Sequence, residues 1–278
     1  MEPMNIPVLA LRGLTVFPHM TINFDVERPI SIRALERAME QDQEIFLVAQ
    51  REIGTALPGE SDLYEIGTVS HIRQILRISE NAVRVMVEGM YRARMRRLWQ
   101  TEPYLQANVE QIEEPAASGR NTPRTEALIR QTYGLFAEYA DLIPNLPEEV
   151  PTAILDCREP GYLADYIAQN ISIRYLDKQE ILEELHPYLR LKKLNSLLSR
   201  EINVLNFEHE MQEKIRDQLA RSQRDQILRT QIRVMQNELG ESEDGDDELQ
   251  EYRKRIEELH LNQEVTEKLL KEVDRLAK

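Results

Sequence analysis

A single cysteine, Cys157, stands in a chain of 278 residues, so no disulfide can form within it. No run of apolar residues approaches the length that a membrane-spanning helix needs. The opening stretch, "MEPMNIPVLALRG", is acidic where a secretory signal is basic, and it has no small-residue cleavage site. These absences point to a reduced, cytoplasmic location with no membrane partner. Positive charge is also short. The 49 acidic residues against 35 basic ones give a net charge of −14, which disfavours nonspecific nucleic-acid binding by the chain as a whole.

Catalytic signatures are missing as well. None of the ten glycines belongs to a phosphate-cradling G-x-x-x-x-G-K-[ST] loop. His19, His71, His186, His209 and His260 are scattered, and "HEMQE" at His209 lacks the second histidine of a zinc site. The acidic run "ESEDGDDE" lacks the spacing of a calcium loop and reads as a solvated linker. The chain is therefore expected to hold no metal or cofactor and to catalyse nothing by itself.

What is present changes character along the chain. Residues 6 to 112 read mostly as strands. "TINFDVE" alternates Ile22, Phe24 and Val26 with polar residues, and "YLQANVEQI" alternates Leu105, Ala107 and Val109. "IFLVAQ" suits a central strand, and "TVSHIRQILRI" and "NAVRVMVEGMYRARMRRLW" extend the pattern. One helix interrupts, with Ile32, Leu35 and Met39 at helical spacing behind Ser31 as N-cap. The result is an α+β reading: a mostly antiparallel β domain over residues 1–118, partly closed towards a barrel.

After the break "EEPAASGRNTP" the period lengthens to three and four. Helices are predicted from Arg124 to Leu142, through "GYLADYIAQNI", and from Asp177, whose capping box closes on Glu180. These form a helical subdomain over 119–202. From Pro187 to Leu239 neither proline nor glycine appears, which allows one helix of ~80 Å at about 1.5 Å per residue. This long arm, 187–240, is expected to project from the globular part. Its far half carries a narrow coiled-coil seam of Leu228, Ile232, Met235 and Leu239. A returning helix pair over 247–278 is expected to cover that seam, with another subunit as the alternative partner.

Several of these segments together resemble the N-terminal region of the Lon family of ATP-dependent proteases. "LALRGLTVFPHM", "DLYEIGTVSHI" and "VRVMVEG" are similar to the family's early strands, with Ala10 standing where proline is common. "RDQLARSQRDQILRTQIRVMQNELGE" is similar to its long-helix signature, with Gln226 and Ile227 where two tyrosines are often found. The resemblance implies a PUA-like β domain, a helical bundle and a long helix. It implies a fragment, with an AAA+ ATPase using ATP and Mg and a Ser–Lys protease domain beyond it. The implied role is recognition of unfolded or degron-bearing proteins. The parent would be a homohexamer degrading misfolded, damaged and short-lived regulatory proteins. A PUA-like adaptor without a motor and a nucleic-acid-binding module are the alternatives.

A module that accepts unfolded chains should expose adaptable apolar side chains. In "AVRVMVEGMYRARMRR", strict alternation sets Met86 and Met90 on a charged face opposite Val83, Val85 and Val87, with Met20 nearby. These methionines are the substrate-binding candidates; the plainer reading is that another element covers them. Arg92, Arg94, Arg96 and Arg97 form the one basic cluster, suited to acidic degrons, nucleic acid or a neighbouring subunit, or else to a solvated strand face.

Overall fold

The computed structural model describes residues 3–115, 122–143, 146–147, 149–238, 243–259 and 263–276. It divides into two compact units, residues 1–207 and 208–278.

The first unit opens with β1 (Met4–Leu11), β2 (Thr21–Val26), α1 (Pro29–Met39), β3 (Glu44–Ala49), β4 (Ile66–Ser79), β5 (Ala82–Gln100) and β6 (Gln106–Gln111). Strand order is β2-β5-β4-β3-β1-β6, and β6 pairs back onto β5. The five strands β5, β4, β3, β1 and β6 thus close a ring, and β2 flanks it. All pairs are antiparallel except β1 with β3. That parallel pair needs a crossover connection, which β2 and α1 supply. The sequence reading of a mostly antiparallel, partly closed β domain describes this arrangement.

Alternation builds two cores. Val8, Phe46, Val69, Ala93, Met95, Ala107 and Val109 line the inside of the ring. On the other side, Leu9, Leu11, Ile45, Leu47, Ile72, Val83, Val85 and Val87 pack with Leu35 and Ala38 of α1. Ser31 does not cap α1. The helix starts at Pro29, whose fixed φ suits a first turn, and Ser31 lies buried within that turn.

Helices α2 (Pro123–Leu142), α3 (Glu149–Asp156), α4 (Pro160–Asn170), α5 (Tyr175–Glu183) and the start of α6 (Pro187–Glu238) enclose a third core. Thr122 caps α2 by accepting a hydrogen bond from Thr125 N. Prolines open α2, α4 and α6, where a missing amide hydrogen costs nothing. The sequence reading missed α3 because Pro147 and Pro151 mark its neighbourhood as a break. Asp177 is not a cap either. It sits inside the first turn of α5, where Arg174 and Arg200 both donate to its carboxylate and hold it below the usual range against the cost of burial.

In the second unit, α6 continues to Glu238, followed by α7 (Glu243–Glu258) and α8 (Gln263–Leu276). The acidic stretch read as a linker is largely helical, since α7 begins at Glu243. Acidic residues at a helix N-terminus complement its dipole. Helices α7 and α8 pack on each other, burying Ile256 and Val273.

Candidate functional site

The outer side of β2, β5 and β4 is built by register. Met86 lies opposite Asn23 on β2 and Gln74 on β4, and Arg84 lies opposite Asp25 and Leu76. Arg84 chelates Asp25 through Nε and Nη2 at 2.7 and 2.9 Å, which holds that carboxyl low. Arg73 donates to Glu88 at 2.6 Å. Between these neutralised charges lie apolar side chains. Leu76 is 51% exposed and Ile78 53%, with Met86 half-buried beside them. Sequence reasoning passed over Leu76 and Ile78. Their signal was present in "QILRIS": they alternate with Arg77 opposite a strand whose other face is already filled by valines.

Strict alternation fails at Met90. Val69 pairs with Tyr91 and Ser70 with Gly89, so Met90 is an extra residue with no partner on β4. Such a bulge exchanges the two faces of the strand downstream. Before it, Val83, Val85 and Val87 face α1; after it, Ala93 and Met95 face the ring interior. Met90 itself is 40% exposed.

The bulge decides the fate of Arg92, which is not part of a solvated basic patch. Its side chain is 1% exposed and turned into the helical core. Nη2 meets Asp165 Oδ1 at 2.7 Å, Nη1 meets Glu114 Oε1 at 2.8 Å, and Nε donates to Leu182 O at 3.0 Å. Arg190, equally buried, shares both carboxylates at 3.1 and 2.8 Å. The four side chains join β5, the segment after β6, α4 and α6. The rest of the cluster disperses. Arg94 is half-buried with an Nε that has no hydrogen-bond partner among the described residues. Arg96 pairs with Glu110, and Arg97 lies beside Trp99, Asn5 and Asn108.

Met20 is also corrected. It is only 5% exposed and packs with Phe17 in the helical core. Its loop is pinned to the bulge: His19 N donates to Gly89 O at 2.7 Å and Gly89 N donates to Met20 O at 2.9 Å. The approach is so close that a Cβ on Gly89 would stand 2.2 Å from Phe17 O. His19 adopts φ +62°, and the turn directs Met20 inward.

On α6, Leu228, Ile232 and Met235 are exposed, so the expected cover from α7 and α8 is not formed over them; Leu239 lies outside the described residues. Cys157 is half-buried, and burial pushes its thiol up, away from nucleophilic use. Among the described residues no group of His, Cys, Asp and Glu is placed to hold a metal ion. No described helix is long and apolar enough to cross a membrane.

Residues 5–200 match the family described as the ATP-dependent protease La (LON) substrate-binding domain. The chain belongs to the Lon family. It is 38% identical to the Lon protease of Syntrophomonas wolfei over 273 residues, and 37% identical to that of Escherichia coli K12 over 275 residues. Those matches cover 98% and 99% of this chain but 33% and 35% of the relatives. The chain therefore spans about a third of the length of the Lon proteases it matches. Its fold is shared with the N-terminal domain of Mycobacterium avium complex Lon protease. The TM-score is 0.57 at 18% identity, covering 70% of this chain and 98% of that one. A Lon N-terminal domain protein from Xanthomonas campestris also matches, with TM-score 0.50 and 14% identity over 69% of this chain.

Proposed function

We propose that this chain recruits unfolded or degron-bearing polypeptide to a cytoplasmic, homohexameric Lon-type protease. ATP hydrolysis with Mg and Ser–Lys peptide cleavage would reside in other domains of that enzyme. The residues present here do not suit nucleotide: no glycine loop exists to cradle phosphates. The observation that carries the reading is the outer sheet face, where Leu76, Ile78 and Met86 stand among arginines already bonded to acids, with exposed Met90 at the bulge further along β5. Such a face offers adaptable apolar contact without an unsatisfied charge to select one sequence. Nucleic-acid binding there and at the basic cluster is disfavoured, since Arg84 on this face is paired with Asp25, Arg92 is buried against Asp165 and Arg96 is paired with Glu110. The exposed seam of α6 suits contact with another subunit.

The test is equilibrium binding of a labelled, permanently unfolded protein to the chain. Replacing Leu76, Met86 and Met90 together by serine should weaken binding by roughly tenfold, while a thermal unfolding curve checks that the variant still folds, since Met86 is half-buried and the other two are partly exposed. Unchanged affinity in a folded triple variant would reject the assignment.

A further inference from the structure

Three arginines in the β domain differ from those above: Arg12, Arg28 and Arg33. Arg28 Nη1 donates to Gln50 Oε1 at 2.9 Å, and its Nη2 donates to Ala10 O. Gln50 is fully buried, and its Nε2 donates to Thr55 O at 3.0 Å. Thr55 O accepts a second bond, from Arg12 Nη2 at 3.1 Å. One buried glutamine thus positions two guanidiniums as neighbours. Arg33 is held likewise by a carbonyl, Pro103 O, at 2.7 Å. Glu27 and Glu102 lie near, yet among the described residues no ion pair joins either to these arginines. Burial, and after it the neighbouring Arg12, lower the Arg28 pKa from its ordinary value.

The arginines border two adjoining cavities. One, of about 810 Å³, has apolar walls that include Ile30, Leu57 and Pro103; Leu57 is 74% exposed. The other, of about 240 Å³, runs between Leu9–Leu11 of β1 and Phe24–Val26 of β2, and both cavities reach Arg12 and Arg28. Strand β2 ends the sheet, so its second edge has no strand partner among the described residues. An unpaired edge receives an extended chain through main-chain hydrogen bonds.

We propose that Arg12 and Arg28 form a carboxylate clamp in this groove, which takes an extended polypeptide segment carrying an acidic residue beside an apolar one. This rests on the substrate-recognition reading and names a second, charge-selective site for it. Arginine suits the task because its planar fork matches a carboxylate in two parallel bonds. The apolar neighbour fills the space against Leu57 and Ile30. The chain's net charge of −14 repels acidic segments elsewhere, so the clamp also sets where such a segment lands.

Fluorescence anisotropy on the full 278-residue chain tests this, using a labelled decapeptide of alternating Leu and Asp and its Leu–Asn counterpart. The acidic peptide should bind about tenfold more tightly, and Arg12→Gln should abolish that preference. Leu57→Ser should weaken the acidic peptide about threefold or more without altering thermal unfolding, since Leu57 is exposed. Equal binding of the two peptides, or an Arg12→Gln variant that discriminates like the parent, overturns the clamp. So does Arg12-dependent binding of tripolyphosphate without binding of the acidic peptide. If a neutral unfolded polypeptide still binds through Leu76 and Met86, only the clamp is lost. If no polypeptide binds anywhere, the recognition reading falls with it.

Discussion

Asp165 accepts hydrogen bonds from Arg92 and Arg190 with almost no access to water. Removing it leaves two buried guanidiniums facing each other with Glu114 alone between them. Asp165→Ala should therefore destabilise the chain by about 3–5 kcal/mol, measured by urea denaturation at neutral pH. Converting Arg92 and Asp165 together to Met and Leu should cost less, because no unpaired charge is left at the first site. Lys178 gives a test of opposite sign. Burial pushes its pKa down to about 8, and its ammonium donates to Gln169 O at 3.2 Å. Between about pH 8 and the ordinary lysine value the unfolded chain binds more protons than the folded one, so stability rises with pH across that window. Below it the penalty is fully present. Lys178→Met should be the more stable form at pH 7, by on the order of 2 kcal/mol, and that advantage should shrink towards pH 10 in parallel denaturation curves.

At the scale of elements, β5 and α6 behave differently from their sequence patterns. The valines before Met90 and the hydrophobic period of the helices are legible because packing enforces them directly. The bulge is not legible, since one extra residue in "EGMYRAR" leaves no periodic trace until the partner strand is aligned. The readings next to it were displaced: Arg92 is a buried tie where alternation had set a surface cation, and the basic cluster came apart, while the alternation of Leu105, Ala107 and Val109 further on holds. Met20 was misplaced for a related reason, because its loop is fixed by backbone bonds to Gly89. For α6, the absence of proline and glycine correctly indicated one long helix. The covering of its seam did not follow from spacing alone. Because Leu228, Ile232 and Met235 are exposed, Ile232→Asp should change the stability of the isolated chain by less than about 0.5 kcal/mol in thermal unfolding. A larger loss would mean that the seam is covered within the chain.

For the molecule as a whole, fold class and family were readable from motif order and the change of period. The face proposed to bind polypeptide was only half legible. Met86 came from alternation, which fails at the bulged Met90, while Leu76 and Ile78 required knowing which strand lies beside β5. Arg12, Arg28 and Gln50 are far apart in sequence and become neighbours only through the crossover that makes β1 parallel to β3. The central claim is that the outer face of β2, β5 and β4 receives unfolded polypeptide. Site-specific photocrosslinking from position 76 measures this most directly, with exposed Glu138 on α2 as the control position. A crosslinker at 76 should capture a labelled unfolded protein several times more efficiently than one at 138, and excess unlabelled unfolded protein should compete. Equal capture from both positions would contradict the account.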